Sequence, residues 1–281
     1  MSLERLQTMF ACEPLLIDPV RVASIRARIM QPQAGAWDEI GKDLEARAKR
    51  PEIRVENGVA VVPVCGCLIE GADALDRLYG FVDLGDVRRM VGEASAREDV
   101  RGILLHLDTP GGGVTGTEET AEVIANAARS KPVLAWTNTL AASGGMWLAS
   151  ASSAIYATKS ATLGSIGVYM AFMDLSEMAK AMGVKVDVIR SSDTPYKGAG
   201  VPGTSLSDLQ REQFQSQVDF IFSGFKAQIN RTRKRASDET MRGQTFTGSQ
   251  AVQNGLADSI ADYATAIKAV RNLSDLRGMG K

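Results

Sequence analysis

Hydrophobic and polar residues follow two periods along this chain, and the alternation between them predicts its architecture. From Pro51 onward, short apolar runs of strand length alternate with amphipathic segments of helix length. The strands are predicted at 53–56, 59–64, 100–107, 132–137, 155–157 and 185–190, and the helices at 84–96, 115–128, 143–150, 175–182, 207–235, 249–255 and 263–273. Strands that alternate with helices pair in parallel through right-handed crossovers, so the pattern predicts an α/β fold with a parallel sheet core.

The first fifty residues follow the helical period instead. Apolar positions recur at helical spacing at Val22, Ile25 and Ile29, and again around Ile40 and Leu44. We therefore expect two parts, a helical N-terminal arm over residues 1–50 and one globular domain over residues 51–281.

A turn signal opens that domain. Asn57-Gly58 separates two β-rich runs. Asn-Gly favours a tight turn because both residues adopt positive φ at low cost. The domain is therefore predicted to begin with a β-hairpin.

Composition excludes several classes of function. The chain has 281 residues, 44% of them hydrophobic, which is enough for one large core. Its net charge is -1, and no aromatic residues are interleaved with the basic run 231–235, so we expect no nucleic-acid partner and place that run at the solvated end of a helix. The longest apolar runs have strand length and the N-terminus lacks a signal-peptide core, which predicts a soluble, cytoplasmic protein.

The cysteines do not form a metal-binding pattern. They number three, at Cys12, Cys65 and Cys67, and the chain has one histidine. An odd number of cysteines favours a reducing compartment, and a zinc site needs further ligands nearby. We expect small buried apolar roles for these thiols, and no metal or cofactor.

A serine between small residues is the strongest candidate for chemistry. Ser143 follows the predicted strand 132–137 and stands where the next helix is predicted to begin. A hydroxyl at such a junction lies beside the free N–H groups of the helix N-terminus, which favour a developing anion. Serine is also a common helix N-cap, and this interpretation remains open.

A glycine-rich turn supplies a second element. Residues 108–113, Asp-Thr-Pro-Gly-Gly-Gly, follow a buried strand and carry unhindered backbone N–H groups. A tetrahedral intermediate needs two donors aimed at its oxygen, and Gly111 or Gly112 with Gly144 can supply them. A tight turn into the next helix explains the same glycines without catalysis.

A serine nucleophile needs a base, and the sequence favours lysine over histidine. The single histidine, His106, is embedded in an apolar strand. Lysine acts as a base where burial lowers its pKa. Lys197 lies in a Gly/Pro-rich loop beyond the strand predicted to end at Arg190, where loops of α/β proteins carry function. The competing lysines are Lys159, Lys180 and Lys185.

From about residue 59 to 260 these motifs together resemble protease IV, also called the signal peptide peptidase A family of S49-type peptidases. The resemblance is carried by the Ala-Ser-Gly-Gly setting of Ser143, the Asp-x-Pro-Gly-Gly turn, and residues 163–168, 245–251 and 255–258. It implies a ClpP/crotonase-like fold and a Ser/Lys dyad that hydrolyses peptide bonds. By the same resemblance Ser143 is the nucleophile, Lys197 is the base and Ser165 orients the lysine.

The resemblance also implies an assembly. Single-length members form homo-oligomeric rings in which the serine and the lysine come from neighbouring subunits, so isolated monomers are expected to be inactive. An enclosed chamber implies peptides or unfolded protein segments as substrates.

The N-terminal arm replaces the membrane anchor of many relatives and is similar to that of phage and prophage head maturation proteases. That similarity implies capsid, portal or scaffold proteins as substrates, in the bacterial or infected cytoplasm or in the procapsid. Three alternatives are kept: a protease IV-like peptide-degrading enzyme, a crotonase-type acyl-CoA hydratase or isomerase, and an inactive ring-forming assembly protein. The hydratase needs acid/base carboxylates in place of Ser143 and Lys197.

Overall fold

A computed structural model describes residues 15–17 and 49–279 of the chain. The strands are β1 Leu15–Ile17, β2 Arg54–Glu56, β3 Val59–Cys65, β4 Cys67–Ile69, β5 Phe81–Asp83, β6 Gly102–Asp108, β7 Gly111–Gly113, β8 Val133–Thr137, β9 Leu140–Ala142, β10 Ala154–Ala157, β11 Thr162–Gly164, β12 Thr245–Thr247 and β13 Ser259–Ile260. The α-helices are α1 Ala74–Leu78, α2 Leu84–Ala96, α3 Thr117–Ser130, α4 Gly144–Ser150, α5 Ser176–Ala181, α6 Asp208–Thr232, α7 Gly248–Gln253 and α8 Tyr263–Met279.

The main sheet has the strand order β13-β10-β8-β6-β3-β2. The pairs β13-β10, β10-β8, β8-β6 and β6-β3 are parallel, and β2 adds antiparallel to β3. Asn57 and Gly58, with φ of 52° and 79°, form the turn between β2 and β3. The predicted α/β fold with a parallel sheet core is confirmed, and so is the predicted hairpin.

Helices cover both faces of this sheet. The larger core lies on one face, where buried residues of α2, α3 and α4 pack against alternate residues of β3 and β6, such as Val62, Leu105 and Leu107. On the other face α8 packs against Leu104 and Trp136. Successive residues of a strand point to opposite faces, so each face receives its own set of side chains.

Two small sheets extend from the carboxyl ends of the main strands. Their strand orders are β1-β7-β4-β5 and β12-β11-β9. Thr109, just after β6, pairs in parallel with Ala141 of β9. The chain segments that follow β6 and β8 are thereby held side by side, at the edge of the sheet where α/β proteins place their sites.

Two predicted elements differ from the structure. Residues 185–190 form no strand and are mostly exposed, with Ile189 97% accessible. Their valine-containing pattern has strand propensity, but none of the strands in the described part of the chain pairs with it, and strand formation depends on that context. Within the predicted helical arm, Leu15–Ile17 are a strand. The helices predicted around residues 22–29 and 36–48 lie outside the described residues.

The basic run after α6 is not wholly solvated, which corrects the expectation for residues 231–235. Arg233 is only 5% accessible. Its guanidinium donates to the carboxylate of Asp258 and, over 3.2 Å, to the carbonyl of Ser152. Asp258 in turn accepts from the Ile155 amide at 2.7 Å. The end of α6 is therefore fixed to the strand β10.

We expect Arg233→Met to lower the free energy of unfolding by about 2 kcal/mol, since it removes charge-assisted bonds from a buried site whose carboxylate is half exposed. Urea unfolding followed by circular dichroism measures the change. Arg97→Met is the matched control, because Arg97 pairs with Asp99 at 2.6 Å on the surface and its loss should leave the urea midpoint near that of the wild type. Equal losses in the two variants would contradict a structural role for Arg233.

Candidate active site

Two serines lie side by side where β9 and β11 end. The strands are parallel with Ala142 opposite Gly164, so Ser143 and Ser165 are the next pair along the ladder. The Ser143 amide donates to the carbonyl of Gly164 at 2.8 Å, and the Ser165 amide donates to the carbonyl of Gln244 at 2.8 Å. Two of the residues singled out from the sequence are thus brought together by the backbone itself.

Both serines have strained backbones. Among the described residues, positive φ at a non-glycine position occurs at Asn57 in the hairpin, at Ser143 (52°) and at Ser165 (51°). The two serines are also buried, 1% and 4% accessible. Positive φ costs free energy at residues with a Cβ, and such strain concentrates at functional sites.

The structure does not support an ordinary N-cap at Ser143. Its ψ of -116° departs from cap geometry, and its side chain makes no capping hydrogen bond to α4. Its carbonyl accepts from the Trp147 amide at 3.0 Å, which starts the helix. The hydroxyl is therefore left for another partner.

Thr109 joins the glycines to this serine, a role that the sequence analysis missed. Its backbone donates to Leu140 at 2.9 Å and accepts from the Ala142 amide at 3.1 Å. Its side-chain oxygen accepts from the Gly111 amide at 3.1 Å. A Cβ added at Gly145 would lie 2.4 Å from the Thr109 methyl group, so the start of α4 packs tightly on this threonine.

Thr109 is therefore in contact with Gly111 and with the residues on both sides of Ser143-Gly144, namely Ala142 and Gly145. For the Gly111 N–H to bind a substrate oxygen, it must exchange its bond to Thr109. Gly112 lies in the same strand, where an added Cβ would stand 1.9 Å from the Leu68 carbonyl, so only glycine permits this approach of β7 to β4.

A cavity of about 440 Å³ opens beside Ser165. It is lined by residues 165–169, by one face of α6, and by residues 241–243. Its apolar walls include Val168, Val218 and Phe222, and Asp219 and Arg242 add charge. The cavity has room for a substrate side chain or for a segment that approaches Ser165 from outside.

Among the described residues, no hydrogen bond joins Lys197 to Ser143 within one chain. Lys197 lies on an exposed loop, which is fixed where the Pro195 carbonyl accepts from the Gln210 side chain at 3.0 Å. Near the other end of α6, Phe225 stacks on Trp147 at 4.7 Å between ring centroids. With a rise of about 1.5 Å per residue, the stretch of α6 from Gln210 to Phe225 is about 22 Å long. The loop of Lys197 and the helix of Ser143 are therefore anchored far apart on α6.

The segment that carries Lys197 exposes much apolar surface. Its exposed large hydrophobic residues are Met173, Met178, Met182, Val184, Ile189 and Tyr196. Exposed apolar side chains gathered in one place are a common feature of interaction surfaces. The competing lysines 159, 180 and 185 are exposed as well.

His106 is on the wrong face of the sheet to serve Ser143. Its ring packs 5.1 Å from that of Trp136 and 6.2 Å from that of Tyr263, on the side of α8. Its strand neighbours Leu105 and Leu107 belong to the core that contains α4. Burial lowers the pKa of His106. The structure thus gives no support to a histidine triad.

Residues 15–17 and 49–279 contain neither a metal-binding cluster nor a membrane-spanning helix. No group of three or more His, Cys, Asp or Glu side chains in this part of the chain is arranged to hold a metal ion. Cys67 is buried as expected, whereas Cys65 is exposed at the end of β3. No helix that the structure describes is long and apolar enough to cross a bilayer.

We expect Gly164→Ala to lower peptide hydrolysis by at least about 100-fold, because Gly164 sets the position of both serines. Its φ is 114°, and an added Cβ would lie 2.7 Å from the Gln244 carbonyl. Casein cleavage measures the effect, with circular dichroism to check folding. The control is Gly92→Ala on α2, where an added Cβ meets nothing within 4 Å and activity should be unchanged. Full activity in Gly164→Ala would contradict the idea that the backbone at Gly164 positions the catalytic serine.

The chain is similar to known proteins. The family model described as peptidase family S49 matches residues 125–277. The chain is 33% identical to the capsid assembly protease C of Escherichia phage lambda, over 80% of this chain and 51% of that protein. It is 29% identical to the head-tail preconnector protein GP5 of Enterobacteria phage P21, over 95% and 57% of the two chains.

More distant similarity extends to cellular proteins and to solved structures. The chain is 27% identical to Protease 4 of Haemophilus influenzae, over 79% of this chain and 36% of that protein. A crystal structure of an enoyl-CoA hydratase/isomerase family member aligns with a TM-score of 0.46 at 15% identity, covering 78% and 75% of the two chains. The chain spans about half the length, or less, of these curated relatives.

Proposed function

Because the chain belongs to peptidase family S49, we propose that it is a serine endopeptidase that hydrolyses peptide bonds in extended, unfolded segments. The observation that carries the proposal is Ser143, a buried residue with positive φ beside the glycine strand β7. A strained serine whose side chain does not cap its helix is arranged for attack rather than for helix stability.

The proposed reaction uses four groups. The Ser143 hydroxyl attacks the peptide carbonyl while the uncharged amine of Lys197 takes its proton. The N–H groups of Gly144 and of Gly111 or Gly112 stabilise the oxyanion. Lys197 then returns the proton to the leaving amine, and water hydrolyses the acyl-enzyme by the same steps.

Ser165 is proposed to orient the lysine. Its position, directly after the last residue of β11 that pairs with β9, supports this role, because Ser143 stands at the same place after β9. When an N–H of the lysine amine donates to the Ser165 oxygen, the amine lone pair is held in one direction, toward Ser143. Ser165 would then be a positioning residue rather than the nucleophile.

We propose that Lys197 is supplied by a neighbouring subunit of a homo-oligomeric ring. The separate anchoring of the Lys197 loop and of α4 along α6 supports this arrangement, and so does the apolar surface of residues 173–196. The cavity beside Ser165 gives an incoming loop a place to enter. A site shared in this way makes activity depend on assembly.

The relatives suggest substrates. One is named a capsid assembly protease and another a head-tail preconnector protein. We propose that this chain acts on capsid, portal or scaffold proteins in the bacterial cytoplasm or the procapsid, without a cofactor. The relative named Protease 4 favours a second candidate, a peptide-degrading enzyme of the cell. The alternative that the experiment must exclude is a ring-forming assembly protein without catalytic activity.

Casein digestion by the purified oligomer tests the proposal, together with labelling by a fluorophosphonate probe. We expect casein fragments on a gel and one labelled serine, Ser143, by mass spectrometry. The variant His106→Gln should keep its rate within about twofold of the wild type, because His106 faces α8. An assembled wild type that neither cleaves nor labels would favour the inactive assembly protein.

A further inference from the structure

The edge of the glycine strand β7 is occupied by the chain's own N-terminal segment. β1 pairs antiparallel with β7, with Leu15 opposite Gly113, Leu16 opposite Gly112 and Ile17 opposite Gly111. The other edge of β7 is paired with β4. In the part of the chain that the structure describes, β1 is the strand on the outer edge of β7.

This is the edge that an extended substrate needs. A peptide whose carbonyl reaches the N–H of Gly111 or Gly112 must run beside β7, and extended peptides bind exposed strand edges through backbone hydrogen bonds. The glycines present no side chains along this strand, so they leave the backbone accessible to a peptide. β1 thus occupies the substrate's expected place.

The direction of β1 matches a substrate as well. The register makes the segment run from Gly113 toward Gly111, so its carboxyl-terminal end lies closest to Thr109 and Ser143. In a serine peptidase the part of the substrate that becomes the acyl group also approaches the nucleophile with its carboxyl-terminal end. A strand of the opposite polarity would not imitate a substrate.

We propose that Leu15–Ile17 is an internal pseudosubstrate strand, which fills the substrate site on β7 and must leave before a protein substrate binds. The proposal rests on the proposed peptidase function and adds a form of self-regulation to it. The pairing covers three residues on each strand. Such a short pairing contributes few hydrogen bonds, each of modest net strength, so a substrate can displace it.

The test compares Leu16→Pro with Leu16→Ala in the full-length oligomer. Proline removes the backbone N–H at the centre of β1 and disfavours the pairing, whereas alanine keeps that N–H. For an unfolded casein substrate we expect the KM of Leu16→Pro to fall about tenfold with kcat unchanged, and the KM of Leu16→Ala to stay within twofold of wild type. A synthetic peptide of residues 13–19 should inhibit Leu16→Pro competitively.

Equal KM values in wild type and Leu16→Pro, with both cleaving casein, would overturn the pseudosubstrate while leaving the peptidase intact. If all forms are inert and Ser143 is not labelled, the peptidase proposal has failed, and hydrogen exchange still decides the strand proposal. Leu16→Pro should speed exchange of the amides of Gly111–Gly113, and the synthetic peptide should slow it again. Unchanged exchange in the variant would contradict pairing at this edge.

Discussion

Replacing Ser143 by alanine is expected to abolish casein cleavage, with a loss of at least about 10⁴-fold in kcat. The proposed mechanism has no other group that can form the acyl-enzyme. Ser143 is nearly inaccessible, and its side chain makes no capping hydrogen bond, so its hydroxyl is not needed to hold α4. Gel-based cleavage rates and light scattering together should show an intact oligomer without activity.

Ser150→Ala is the matched control for that experiment. Ser150 lies on the same helix, is buried, and donates to the Trp147 carbonyl at 2.7 Å. Its loss should cost about 1 kcal/mol of stability and leave the cleavage rate near that of wild type. If Ser143→Ala kept a substantial share of the wild-type activity, the nucleophile would have to be another residue.

The sequence predicted the core of the fold because the parallel strands and main helices have local signals. The Asn57-Gly58 turn and the helix 84–96 are found as predicted. The short strands β7, β9 and β11 were not predicted, because runs of three residues rich in glycine and alanine have weak strand propensity and pair only when the fold brings them together.

In the candidate site, too, some features have a local sequence signal and others do not. Ser143 and the glycines are visible in the sequence because their residue types match the chemistry. The role of Thr109 and the shared backbone strain of Ser143 and Ser165 arise from contacts between segments distant along the chain, and no local pattern predicts them. The prediction for Arg233 was wrong for a related reason, since its partner Asp258 lies 25 residues further along the chain.

The proposed role of Lys197 depends on assembly more than that of any other proposed site residue. Lys197 is exposed in the single chain. Docking against a neighbouring subunit would remove water from its amine, and burial favours the uncharged form that accepts a proton. A base that becomes effective only in the oligomer would keep separate subunits inactive before assembly.

Subunit mixing tests this directly, and its outcome distinguishes a shared site from a site within one chain. Lys197→Ala and Ser143→Ala should each be inert, and a 1:1 mixture dissociated and reassembled should recover about a quarter of the wild-type rate, because about one in four interfaces then pairs an intact serine with an intact lysine.

Lys185→Ala is the control for that experiment, since Lys185 is an exposed lysine of the same segment that pairs with Asp187 at 3.2 Å. It should keep wild-type activity alone and in mixtures. Activity in Lys197→Ala by itself would remove Lys197 as the base. Two inert variants whose reassembled mixture stays inert would instead place both groups of each site in one chain, against the proposed shared site.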